Sequence, residues 1–199
     1  MDALAVALSF IFLLYASISD LKSRRVGNIV WILMGICGIF LLFLGGIDSY
    51  AAISAVFMSL FALLLYYSGD VLKRMGLLSH GFYGGADAKA IIALSIMVPR
   101  WPSFITDPIP IFFSLSVLLN GAVLSLFVPL ALFLYNLSKG YRKLPDAFLA
   151  IETDGEYDEK KFWLYKTRGG KTLITPKIPF ILFLLLGFLA SLLIYPLIL

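Results

Sequence analysis

Residues 26–47 read VGNIVWILMGICGIFLLFLGGI, a run without one charged side chain that starts just after Arg24 and Arg25. As an α-helix, a run of this length reaches across a hydrocarbon layer of about 30 Å. Lipid offers no partner for a loose N–H or C=O, so such a run satisfies its backbone internally and must coil. Outward from it, charge-free stretches recur at 3–19, 49–69, 108–138 and 178–199. Composition agrees. Of 199 residues, 61% are hydrophobic and 14% charged, with a mean hydropathy of +0.96, where a soluble domain carries about 25% charge. The first run lacks a basic head and is followed by four more, so it reads as a resident helix and not a cleaved signal. The expected fold class is an all-α polytopic membrane protein.

About six transmembrane helices are expected, near 3–19, 28–47, 50–68, 86–99, 109–137 and 178–199. The fourth is short and closed by Pro99 and Pro102; the fifth holds Asn120 and Pro129, which predict a tilt or kink. With the N-terminus outside, the first, third and fifth linkers face the cytoplasm. Those linkers and their edges then hold every basic residue except Arg100, as the positive-inside bias requires. Three parts follow: 1–137, a five-helix membrane portion; 138–177, a cytoplasmic insert; and 178–199, the sixth transmembrane helix. In the insert, two β-prone runs flank Gly169-Gly170 and predict a hairpin, a small β element. The acids from Glu152 to Glu159 form a solvated run that could also attract a basic peptide.

One Cys (Cys37) and one His (His80) leave no intrachain disulfide and no closed Cys/His zinc site. No metal and no cofactor are expected. Cys37, mid-run, reads as packing. The net charge of +4 reflects topology, so the lipid bilayer is the expected partner and nucleic acid is not.

Two of the twelve acids stand where a span meets the cytoplasmic edge: Asp20 closes span one and Asp87 opens span four. Each alone could be an edge residue facing water. On the topology above they share one membrane face, so two helix ends could bring the carboxyls together. Carboxyls sharing a site do not both ionise readily, which leaves one to activate water and one to donate a proton to a carbonyl. The neighbours fit either use. Gly84, Gly85 and Ala86 before Asp87 permit a close backbone approach or simply turn into a helix. Asp20 is followed by Lys22, Arg24 and Arg25, topology signals that could touch headgroups, and Asn28 can cap the next helix. Lys89, two residues past Asp87, points to another helix face and is assigned to headgroups. Gly69, Gly76 and Gly81 are possible hinges in the linker 69–87.

With these motifs in hand, the chain resembles the prepilin peptidase family of intramembrane aspartic proteases, in particular its small archaeal preflagellin and prepilin peptidases. The family's first aspartate lies in an Asp-x-Lys/Arg-x-Arg-type loop ending at Asn, which Asp20, Lys22, Arg24 and Asn28 match. The second lies in a Gly-x-Gly-Asp signature followed by Ala-Lys, which Gly84, Asp87, Ala88 and Lys89 match, with Ala86 in place of the second Gly. Gly27 stands where Pro is common. The resemblance implies an endopeptidase with Asp20 and Asp87 catalytic. It would remove a short basic leader from a membrane-inserted pilin-like or archaellin precursor at the cytoplasmic face. The N-terminal Cys-paired domain of methylating relatives is missing, which implies cleavage without N-methylation. Zinc proteolysis needs a His-Glu-x-x-His that is not here, and Ser79-His80 are sequence neighbours that face apart. The alternative from another class is a small ion-coupled transporter using Asp20 and Asp87 as a proton or cation path.

Overall fold

The computed structural model describes residues 1–46, 48–75, 85–105, 112–153, 157–159, 161–168 and 171–193. Every apolar stretch carries helix: α1 (Asp2–Ser23), α2 (Asn28–Gly45), α3 (Ser49–Arg74), α4 (Gly85–Met97), α5 (Phe113–Ser125), α6 (Phe127–Ser138) and, after a short α7 (Asp146–Leu149) and three strands, α8 (Phe180–Leu193). Four helical stretches are long and apolar enough to cross a membrane: Asp2–Ser23, Asn28–Gly45, Ser49–Gly69 and Phe113–Ser138. α8 is apolar but shorter, and α4, with 13 residues, spans only about 20 Å. The outer faces fit lipid. Ile11, Phe43, Leu60 and many other large apolar side chains stand exposed, in a density no soluble surface carries. This is a multi-pass membrane protein.

One boundary differs from the sequence expectation, and the fifth span is interrupted where a tilt or kink was expected. α3 continues through Gly69 to Arg74, so Gly69 is a helical residue and not a hinge; Gly76, Gly81 and His80 lie outside the described residues. The fifth stretch breaks at Leu126, three residues before Pro129. Proline has no N–H for the preceding turn and its ring crowds that turn's carbonyl, so the interruption falls one turn upstream.

Two compact units form. The first runs from Met1 to Ala122 and includes α8; the second is Val123–Pro179. At the heart of the first is α4. Ala88, Ala90, Ile91, Ala93, Leu94, Ser95 and Met97 are all buried, and α1, α2, α3 and α8 all pack against it. A helix apolar all round is a core helix. In lipid the hydrophobic effect does not press helices together, so packing depends on close backbone approach and on polar links. Small residues supply the first. A methyl on Gly38 of α2 would lie 2.8 Å from the Cα and N of Met97. One on Gly187 of α8 would lie 2.6 Å from the nitrogen of Gly121 on α5. Hydroxyls and an amide supply the second. Asn120 Nδ2 donates to Ser191 Oγ at 2.9 Å, Ser116 Oγ lies 3.2 Å from the same oxygen, and Ser17 Oγ donates to the Ile181 carbonyl at 3.2 Å.

In the second unit, β1 (Ile151–Thr153), β2 (Phe162–Arg168) and β3 (Lys171–Pro176) form an antiparallel sheet in the order β1-β3-β2. The expected hairpin is β2–β3, with Arg168 opposite Lys171; Gly169 and Gly170 themselves lie outside the described residues. β1, not foreseen, pairs on the other edge of β3. Leu173 and Ile174 of β3 are buried. Asn136 Nδ2 ties α6 to α7 by donating to the carbonyls of Ala147 and Ala150, each at 2.8 Å.

Candidate active site

Asp20 occupies the last turn of α1, half-buried. The helix stops at Arg24, whose backbone turns left-handed (φ 54°, ψ 28°) and whose N–H bonds the Asp20 carbonyl at 2.9 Å. A left-handed residue with a side chain costs about 1–2 kcal/mol, and glycine is the usual occupant of such a helix end. The turn is held by serine. Ser19 Oγ and Ser23 Oγ donate to the Arg25 carbonyl at 2.9 and 3.0 Å, and Ser23 Oγ also lies 2.9 Å from the Ser19 carbonyl. The turn sets the Arg24 guanidinium within electrostatic reach of the Asp20 carboxylate. Nε and Nη1 of Arg24 are buried without a hydrogen-bond partner among the described residues. Lys22, on the same turn, is exposed.

Asp87 is the third residue of α4, half-buried, where the helix's free N–H groups favour a negative charge. Gly85 precedes it. Among the described residues, a methyl there would meet only the Tyr66 ring edge, at an ordinary 3.5 Å. Ala86 packs against the core, and Gly84 lies outside the described residues.

The two motifs meet through a pair the sequence reading separated. Lys89 Nζ donates to Asn28 Oδ1 at 2.8 Å. Asn28 was expected to cap α2 and Lys89 to reach headgroups. Instead Gly27 is the N-cap, with no side-chain cap bond, and the two side chains bond to each other. Asn28 is eight residues past Asp20 and Lys89 two past Asp87. α1 ends, α2 starts and α4 starts at this place, and the three helices pack pairwise. Asp20 and Asp87 thus lie at the same end of one helical group.

The acids at the far end have structural work. Asp48 Oδ2 pairs with Arg100 at 2.6 Å while its Oδ1 accepts the Ala51 N–H, and Asp2 Oδ2 accepts the Ser103 N–H at 2.8 Å. Among the described residues, no three of His, Cys, Asp and Glu gather as a metal site. Besides the Lys89–Asn28 link, the sequence reading missed Trp31, whose buried Nε1 has no partner among the described residues. Its only signal was a lone tryptophan one turn beyond Asn28.

Helices packed around a buried short helix, with Asp20 and Asp87 at one end, define a helical membrane-embedded protein. Residues 7–136 match the type IV leader peptidase family, and the chain belongs to that family; it is a peptidase. It is 31% identical over 171 residues to the preflagellin peptidase of Methanococcus voltae, covering 77% of this chain and 67% of that one. To the preflagellin peptidase of Methanocaldococcus jannaschii it is 28% identical over 142 residues, covering 65% of this chain and 56% of the relative. The family membership does not favour the transporter reading.

Proposed function

We propose that the chain is an aspartic endopeptidase that removes the short basic leader from archaellin or type IV pilin-like precursors. Asp20 and Asp87 are its catalytic residues, and the cut is made at the cytoplasmic face with the N-terminus outside. The observation that carries the reading is the Lys89–Asn28 bond, because it fastens the loop after one aspartate to the helix that bears the other.

The chemistry follows from two carboxyls with one shared proton. The ionised one takes a proton from water as its oxygen attacks the scissile carbonyl. The protonated one donates to the carbonyl oxygen as it becomes negative. Collapse of the tetrahedral species breaks the C–N bond, and a carboxyl returns its proton to the leaving amine. No covalent enzyme intermediate forms. Arg24 stands within electrostatic reach of Asp20. Sequence supports the membrane side: all basic residues but Arg100 fall on the face that holds both aspartates.

Purified protein in detergent, incubated with a full-length precursor, should release a leader-sized fragment by mass. Asp20→Asn and Asp87→Asn keep shape but cannot cycle a proton, and each should leave the precursor uncut while melting like the parent. Cleavage by either variant would overturn the assignment.

A further inference from the structure

We propose that the groove between α2 and α4 is the docking site for the apolar helix of the precursor, and that it delivers the cleavage junction to Asp20 and Asp87. This rests on the leader-peptidase reading and deepens it. The groove holds about 340 Å³, within the roughly 300–1,000 Å³ of ordinary ligand sites. Trp31, Ile32 and Gly35 of α2 form one wall, and Ile92, Ala93 and Ile96 of α4 the other.

The hollow has a structural origin. α2 and α4 meet backbone to backbone at Gly38 and Met97 and are pinned again where Lys89 bonds Asn28. Between the two points stand Gly35 and Ala93, whose side chains are too small to fill the gap. Among the described residues, no atom outside Gly35's own stretch of α2 lies within 4 Å of the place its methyl would take. From Asn28 to Gly35 the groove runs about 10 Å, two turns of a docked helix.

One feature selects a peptide helix over a lipid chain. Asn28 and Lys89 line the groove's mouth, and Lys89 is two residues from Asp87. A helix lying in the groove therefore leaves it beside the proposed catalytic carboxyls, with the bond before its first turn nearest to them.

The test uses the full chain and a full-length precursor. Gly35→Leu fills the groove without disturbing the helix behind it. It should raise KM at least about tenfold and change kcat little. In an Asp87→Asn background, which leaves the precursor uncut, a photo-cross-linker at Ile32 or Ile96 should form an adduct with the precursor's apolar helix. The same probe at Leu60, exposed on α3, should not. An unchanged KM in Gly35→Leu overturns the groove, as do adducts at positions 32 and 96 only with lipid or with a second copy of this chain. If wild-type protein fails to cut the precursor, the leader-peptidase reading itself falls.

Discussion

Adding one methyl group at Gly38 is expected to force α4 away from α2 and to move Asp87 with it. The new carbon would lie 2.8 Å from the Cα and N of Met97 and 3.0 Å from the Ile96 carbonyl carbon, where ordinary contact starts near 3.4 Å. The helices must therefore separate by about half an ångström or more. The obstacle is backbone, which cannot rotate aside like a side-chain tip, and α4 is hemmed in by α1, α3 and α8. Overpacking of this kind costs about 1–3 kcal/mol, against a gain of at most about 1 kcal/mol from replacing glycine inside a helix. The net is a loss of up to about 2 kcal/mol. Activity should suffer more than stability, since misplacing a reacting group by about 1 Å can cost about 100-fold. Gly35→Ala, one turn away and facing open space, is the control for stability alone and should melt no lower than wild type. Thermal unfolding in detergent and cleavage rate on the same preparations decide the matter. A Gly38→Ala protein as stable as its Gly35→Ala counterpart and as fast as wild type would refute the packing argument.

Lys89→Gln should weaken the bridge to Asn28 and slow cleavage by about three- to tenfold, the worth of one hydrogen bond of roughly 0.5–1.5 kcal/mol. Asn28→Ala should do the same, and the double variant should be little worse than either; fully additive losses would show that the bond does not couple the two motifs. Arg24→Gly should relieve the left-handed strain and melt at or above the wild-type temperature, yet cut the precursor more slowly because Asp20 loses its neighbouring cation. Undiminished cleavage would remove Arg24 from the site. Gly85→Ala should fold and melt like wild type, since among the described residues only the Tyr66 ring edge is near; a large drop in melting temperature would contradict the ordinary contact at that position.

Much of the fold was legible because lipid enforces it. Charge-free runs long enough to cross must be helical, and each one carries helix among the described residues. The ends were less legible. α3 was expected to stop near residue 68, where the charged residues begin, but it continues to Arg74 because long basic side chains can remain on a helix while their heads reach water. β1 escaped because Ile-Glu-Thr is too short to display alternation and forms only as an edge partner of β3. At the site, the aspartates were readable as edge acids with unusual neighbours. The Asn28–Lys89 bond was not, because residues 61 apart meet there and each had a local role that explained it. Gly38 was illegible for the opposite reason. A glycine in an apolar run carries no mark of which backbone comes against it.

The account depends on positions 20 and 87 meeting at one membrane face. Cys37 is the sole cysteine, so Cys37→Ser gives a background in which Asp20→Cys and Asp87→Cys can be introduced together. A short bismaleimide added to membranes should join the two positions within one chain, and an impermeant maleimide should reach both only from the cytoplasmic side. Failure to join them, with labelling from opposite sides, would contradict the two-carboxyl mechanism.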